Sequence, residues 1–183
     1  RMSCIEESAR RLRGQTDMLL KNLIINNFMP YYGENTIVFP TDRQSNVVLV
    51  FGENTKGKTS ILNALRWVLY GEIEQRGKIL TYSDFLNKKA KREGDETVFI
   101  ELNFEAGEDS YMLRRTQGDE DVTAAILTME KNGKPMDRAA AGREIERIAP
   151  SGTKRFFLFD GELLSEYQEL MEPNSSTAKK IKR

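Results

Sequence analysis

Histidine is absent from the 183-residue sequence, and cysteine occurs once, at Cys4. Without histidine, the chain lacks a frequent general acid–base residue and metal ligand, and a lone cysteine cannot form an internal disulfide. A structural zinc site is therefore not expected. The net charge is zero, since Lys+Arg and Asp+Glu both number 28. No global field draws such a chain onto nucleic acid, so DNA contact would need a local basic patch. Residues 88–92 contain one.

Long apolar runs are lacking as well. No segment reaches the roughly 18 apolar residues that a membrane-spanning helix needs. Residues 1–17 do not have the apolar core of a signal peptide. These absences predict a cytoplasmic protein with no membrane partner. Residues 1–17 are interpreted as an extension, native or artificial, ahead of a domain that begins at Met18 and is long enough for its own hydrophobic core.

The pattern of apolar residues predicts an α/β domain. Strands at residues 19–25 and 36–39 would form a hairpin around a turn at 30–33. A continuous apolar run at 47–51 predicts a strand that is buried on both faces. Residues 72–95 are polar and irregular.

A phosphate-binding pattern, G-x-x-x-x-G-K-[ST], follows the apolar run. Gly52, Gly57, Lys58 and Thr59 supply its fixed positions. Apolar residues at helical spacing over 61–69 predict the helix that such a loop must open, and a glycine at position 71 ends it. A buried strand, the loop and a helix in this order predict a P-loop that binds ATP.

The chemistry of a P-loop assigns a role to each of these residues. Successive backbone N–H groups wrap the phosphates, and Gly57 lets the backbone approach them closely. Lys58 would neutralise the outer phosphates, Thr59 would bind Mg²⁺ through its hydroxyl, and Ser60 would donate near the α-phosphate. The predicted ATP-contacting residues are Asn54, Thr55, Lys56, Gly57, Lys58, Thr59 and Ser60.

The second half of the chain predicts further strands and a capped helix. Alternating apolar residues over 98–104 indicate a half-buried strand, and strands at 111–116 and 122–129 follow. With the first hairpin they would form an antiparallel sheet that flanks a mixed sheet carrying the P-loop helix. Asn-Gly at 132–133 indicates a turn, and Asp137 caps a helix that ends before Pro150.

Residues 156–162, with the sequence Phe-Phe-Leu-Phe-Asp-Gly-Glu, allow two interpretations from the residues alone. A short buried strand could deliver Asp160 to Mg²⁺ as a Walker B carboxylate, with Glu162 as the base for the attacking water. Alternatively, Asp160 caps the helix predicted from Glu162 to Met171.

Three segments together resemble the N-terminal half of an SMC-type ATPase head, of the ABC superfamily. They are residues 20–28, the P-loop and residues 63–71, Asn-Ala-Leu-Arg-Trp-Val-Leu-Tyr-Gly. Residues 156–162, with 167–176 behind them, narrow the resemblance to DNA sulfur modification proteins of the DndD type and related phage-defence ATPases.

The resemblance implies an architecture and partners. Residues 18–161 would be the N-terminal lobe of the head, and 162–183 the start of a helix that leads into a coiled coil. A C-terminal half would supply Walker B and the signature motif. ATP would join two such heads into a homodimer that acts on DNA with other modification or defence subunits.

The resemblance also changes the role of Asp160. It would occupy the Q-loop position that senses Mg²⁺ and the γ-phosphate, so that Lys58 and Asp160 are the catalytic residues, and Thr59 and Asp160 the metal contacts. Two alternatives stay open from the residues: a self-contained P-loop NTPase with Asp160 and Glu162 as its Walker B, and a module that binds nucleotide without hydrolysing it.

Overall fold

The computed structural model describes residues 18–42, 47–53, 57–75, 77–118, 125–154 and 158. Several predicted elements lie outside these ranges. The extension at 1–17, the strand at 156–159 apart from Leu158, and the helix from Glu162 lie outside the described residues.

Eight strands are present in the described part of the chain. They are β1 Met18–Phe28, β2 Tyr31–Val38, β3 Glu74–Gln75, β4 Lys78–Ile79, β5 Val98–Ala106, β6 Asp109–Gln117, β7 Ile126–Lys131 and β8 Lys134–Pro135. Six of these described strands form one antiparallel sheet in the order β2-β1-β5-β6-β7-β8, and β3 pairs with β4. The predicted antiparallel sheet is therefore confirmed. The described part of the strand predicted at 122–129 is β7, from Ile126, and residues 122–124 lie outside the described residues.

Four α-helices accompany these strands among the described residues. They are α1 Lys58–Tyr70, α2 Tyr82–Phe85, α3 Lys88–Glu93 and α4 Arg138–Ile148, and a 3₁₀ turn follows at Ser151–Thr153. The cap predicted at Asp137 is confirmed, since its carboxylate accepts from the backbone N–H groups of Ala139 and Ala140. None of the helices in these ranges is long and apolar enough to cross a membrane.

Residues 72–95 are more ordered than their polar sequence predicts. They contain the β3–β4 hairpin and two short helices. Local capping accounts for both helices: the Asn87 side chain accepts from the N–H groups of Lys89 and Ala90, while Thr81 and Asp84 form a capping box. Caps thus stabilise helices that are too short to show apolar periodicity.

The core lies on one face of the large sheet. The alternation predicted for β5 is confirmed, because every second residue from Val98 to Ala106 is buried. Helices α1 and α4 cover this face, and Trp67 of α1 packs between Phe28 and Phe85 with ring centroids 6.0 and 5.2 Å away. Burial of these rings stabilises the position of α1 relative to the sheet.

The β1–β2 turn is tighter than predicted and lies at residues 29–30, so that strand β2 already begins at Tyr31. Asn27 and Met29 adopt left-handed backbone conformations, with φ of 49° and 52°. Such conformations cost energy for residues with a Cβ. Hydrogen bonds from neighbouring segments compensate: the Met29 N–H donates to the Phe85 carbonyl at 2.6 Å.

The apolar run at 47–51 is not the buried strand that the sequence predicts. It has no strand assignment, and its side chains are exposed, with Phe51 86% and Val47 78% accessible. The physical reason is the lack of a neighbour. β1 is hydrogen-bonded on both sides, to β2 and β5, and no described strand lies beside residues 47–51. A continuous apolar run indicates that its side chains favour burial on both faces. It does not determine which strand would pair with it.

Candidate nucleotide-binding site

Gly57 opens helix α1 in a conformation that only glycine adopts easily. Its φ is 101°, and the residue is buried. A Cβ at this position would lie 3.0 Å from Cγ of Pro30 and 3.2 Å from the hydroxyl of Tyr31. Backbone strain and lack of space therefore both require glycine at the last step before the helix.

The N-terminal end of α1 carries no negative charge of its own. In this part of the described chain, the first turn holds no acidic residue and Gly57 provides no side-chain cap. The first N–H groups of a helix have no intrahelical partner and carry partial positive charge, which favours an anion. Thr59, which is exposed, and Ser60, which is half-buried, belong to this first turn.

The Lys58 ammonium folds back over the loop that precedes the helix. It donates to the backbone carbonyl of Gly52 and, at 2.8 Å, to that of Glu53. These contacts fix the two ends of the loop relative to each other. They also hold a full positive charge against the residues that precede the loop, and binding of a polyphosphate requires such a charge.

Arg66, two turns along α1, connects the helix to the segment before Asp160. Its guanidinium donates to the Leu158 carbonyl through Nη2 at 2.6 Å and Nε at 3.2 Å, and to Oδ1 of Asn63 at 3.1 Å. A guanidinium is suited to such a contact because several donors lie in one plane. Leu158 also packs against the core.

The predicted site residues divide into two groups. Gly57, Lys58, Thr59 and Ser60 lie together at the start of α1. Asn54, Thr55, Lys56 and Asp160 lie outside the described residues. Over the residues that are described, no three metal-binding side chains come together. The assigned roles of all these residues remain predictions.

Comparison with known proteins identifies the family. A family model described as an AAA domain matches residues 22–183. The chain belongs to this AAA domain family. The DNA double-strand break repair Rad50 ATPase of Methanocaldococcus jannaschii is 30% identical over 118 residues, which make up 64% of this chain and 10% of the relative. The chain thus spans about a tenth of the length of that relative.

The fold of the AAA domain is also that of a solved structure, described as "Structural biochemistry of ATP-driven dimerization and DNA stimulated activation of SMC ATPases". The two superimpose with a TM-score of 0.62 over 85% of this chain and 93% of that chain, at 18% identity. The predicted fold class is therefore confirmed: this AAA domain is a P-loop NTPase of the SMC and Rad50 head type, with an antiparallel sheet. The narrower relationship to DNA sulfur modification proteins stays a prediction.

Two long-range side-chain contacts of the P-loop and its helix in the AAA domain are not apparent from the sequence. Tyr31 donates its hydroxyl to the Gly57 carbonyl at 3.2 Å, and Arg66 holds Leu158. The partners lie 26 and 92 residues apart in the chain. No local sequence pattern predicts either contact. The sequence offers only a Tyr-Tyr pair near the turn and an arginine within an otherwise apolar helix.

Proposed function

We propose that the chain is the ATP-binding half of an ATPase head in a machine that acts on DNA. The observation that supports this most directly is the start of α1: a buried glycine at φ 101° followed by Lys58, on a helix end without acidic residues. An anion site of this kind suits the β- and γ-phosphates of a nucleotide.

Each residue has a part in binding. The loop over 54–57 and the N–H groups of α1 would surround the phosphates, and Lys58 would exchange its contacts with the Gly52 and Glu53 carbonyls for contacts with phosphate oxygens. The Thr59 hydroxyl, exposed at the same helix end, would be a ligand of Mg²⁺. Bound Mg²⁺ would neutralise phosphate charge.

Asp160 is proposed as the second metal contact and as a catalytic residue with Lys58. Its position along the chain supports this. Arg66 of the P-loop helix holds the Leu158 carbonyl, two residues before Asp160 in the chain.

A C-terminal half of the same head is the proposed first partner. The apolar residues 47–51, exposed in this chain, need a neighbouring strand and a covering layer. The chain corresponds to a tenth of its Rad50 relative, a length that leaves room for such a half. A second head would then join in the presence of ATP, in line with the ATP-driven dimerization described for the SMC ATPases of the solved structure.

The cellular setting is proposed more narrowly from the sequence. Residues 156–162 and 167–176 resemble DNA sulfur modification proteins of the DndD type, so we place the head in a DNA-modification or phage-defence complex with DNA and further subunits as partners. The similarity to the Rad50 ATPase of double-strand break repair supports action on DNA in general.

Replacement of the P-loop lysine tests the proposal. Lys58→Ala should abolish ATP binding in the presence of Mg²⁺, because the phosphates lose a charge-assisted contact. Titration calorimetry measures the affinity, and circular dichroism shows that the fold is intact. Lys88→Ala is the matched control, since Lys88 is exposed on α3. Equal affinities of a folded Lys58→Ala variant and the wild type would contradict the P-loop assignment.

A further inference from the structure

Pro30 and Tyr31, at the β1–β2 turn, pack directly against Gly57, the last residue of the phosphate loop before α1. Cγ of Pro30 and the ring of Tyr31 occupy the space where a Cβ of Gly57 would lie, at 3.0 to 3.3 Å. The Tyr31 hydroxyl donates to the Gly57 carbonyl at 3.2 Å. The same carbonyl accepts the first backbone bond of α1, from the Ile61 N–H, also at 3.2 Å. Two donors therefore fix the direction of this carbonyl.

The turn is itself held from several sides. The Asn87 amide donates to the Met29 carbonyl at 2.8 Å. The Asn27 side chain donates to the Asp95 carboxylate at 2.8 Å and accepts from the Gly33 N–H at 2.9 Å. Asn27 is fully buried. Two residues in left-handed conformations persist at this turn because these contacts determine the backbone. The hydrogen bonds that hold the turn, and with it Tyr31, are therefore made by residues outside the phosphate loop.

Peptide planarity makes the Tyr31 contact relevant to ligand binding. In a planar trans peptide, the carbonyl of one residue and the N–H of the next point in opposite directions. Since the Gly57 carbonyl points toward Tyr31, the Lys58 N–H points away from it. The orientation of this donor at the helix end is therefore set by the tyrosine together with the first backbone bond of α1. Burial raises the pKa of the Tyr31 phenol above its ordinary value, so the hydroxyl keeps its proton at neutral pH.

We propose that Tyr31 is a positioning residue of the nucleotide site, which acts through the Gly57 carbonyl to aim the Lys58 N–H at the polyphosphate. The inference rests on the proposed function and deepens it. Tyr31 serves the phosphates and not the base, so its effect is the same for a nucleotide and for an inorganic polyphosphate.

The test compares Tyr31→Phe with Tyr32→Phe in the full 183-residue chain. Each substitution removes one hydroxyl; that of Tyr32 donates to Glu93, on α3. Calorimetry measures the affinities of each variant for ATP and for inorganic tripolyphosphate. We expect Tyr31→Phe to weaken both by about three- to tenfold, as loss of one hydrogen bond predicts. Tyr32→Phe should leave both affinities at the wild-type level.

Further outcomes separate this inference from the proposed function. Placing 4-aminophenylalanine at position 31 restores a donor and should recover both affinities, which a purely steric role of the ring would not require. Wild-type affinities in Tyr31→Phe, or a loss for ATP without a loss for tripolyphosphate, would overturn the positioning role alone. A wild-type chain that binds neither ligand would overturn the proposed function and this inference with it.

Discussion

Glu144, on α4, illustrates how one residue stabilises the packing of a helix on the sheet. Its carboxylate accepts from the Tyr111 hydroxyl at 2.6 Å and from Arg147 at 2.9 and 3.0 Å, and Lys131 lies 3.5 Å away. The hydrogen bonds from Arg147, then from Tyr111, lower the pKa of Glu144 to about 2. The charged form is therefore the one that the fold stabilises.

This shift predicts a pH-dependent contribution to stability. Because the pKa is lowered on folding, the contribution is fully present above the ordinary pKa of 4.5 and is lost as pH falls from there toward about 2. Glu144→Gln should lower the free energy of unfolding at pH 7 by about 1–2 kcal/mol. The difference from wild type should shrink below pH 4.

Urea denaturation at pH 7, 5, 4 and 3 measures both effects. Glu108→Gln is the matched control, because Glu108 is an exposed glutamate in the β5–β6 turn. If the difference in unfolding free energy between wild type and Glu144→Gln stays constant over this pH range, the charge of the Glu144 carboxylate does not contribute to stability.

Asp160 gives a second prediction at the residue scale. Asp160→Ala should leave ATP affinity without Mg²⁺ nearly unchanged and reduce the gain in affinity that Mg²⁺ produces, because the side chain is proposed to contact the metal and not the body of the nucleotide. Calorimetric titrations at several Mg²⁺ concentrations measure this gain. Asp160→Ser distinguishes the alternative role, since serine caps a helix as well as aspartate does. Full recovery with serine would favour the helix cap over the metal contact.

At the scale of elements, two arginine contacts attach the C-terminal half of α1 to other parts of the chain. Arg115 of β6 donates to the Val68 carbonyl through Nε and Nη2, both at 3.3 Å. Burial, with the charge of Arg138 as the smaller cause, lowers the pKa of Arg115 to about 10, which still leaves it charged at neutral pH. A cation at the C-terminal end of a helix interacts favourably with its dipole. Arg66 makes the second attachment, to Leu158.

Loss of the second attachment should loosen the segment before Asp160 without unfolding the domain. In Arg66→Ala the Leu158 carbonyl loses its two guanidinium donors, while the core contacts of α1 stay in place. We expect faster hydrogen exchange of the Leu158 amide, which donates to the Lys154 carbonyl, and a urea midpoint close to wild type. Arg92→Ala, an exposed site on α3, is the control. Unchanged exchange at Leu158 would show that Arg66 does not hold this segment.

Elements with local signals could be predicted from the sequence. The alternation of β5, the Asp137 cap of α4 and the glycines that bound α1 all act within a few residues of the structure they determine. The run at 47–51 could not be placed correctly, because a strand depends on a neighbour that no local pattern encodes. For the same reason the Tyr31 and Arg66 contacts could not be predicted, whereas the start of α1 followed from its motif.

At the scale of the whole molecule, the chain should bind ATP but hydrolyse it at or near background. The P-loop can hold and neutralise phosphates, but hydrolysis also requires a group that positions and deprotonates the attacking water. Under the half-head proposal, that base belongs to the Walker B strand of the C-terminal half. Addition of this half should raise the rate and cause ATP-dependent dimerisation, measurable by phosphate release and light scattering.

The self-contained NTPase predicts the opposite result. If the chain alone hydrolyses ATP at about 1 s⁻¹ or faster, a rate ordinary for enzymes, and Glu162→Gln stops the reaction, the half-head proposal is wrong. Binding without any hydrolysis, even after the C-terminal half is added and heads dimerise, would instead favour a module that only holds nucleotide.

The exposed run at 47–51 also makes the chain vulnerable to self-association. Its sequence, Val-Val-Leu-Val-Phe, has no charge and no proline, and Leu49 and Phe51 are 73% and 86% accessible. Short segments with these properties stack readily into cross-β fibrils. Whenever this run is uncovered, other copies of the chain would compete with a strand of the proposed C-terminal half for its backbone hydrogen bonds. Early association with the proposed C-terminal half during synthesis would therefore protect the chain against aggregation as well as complete the head.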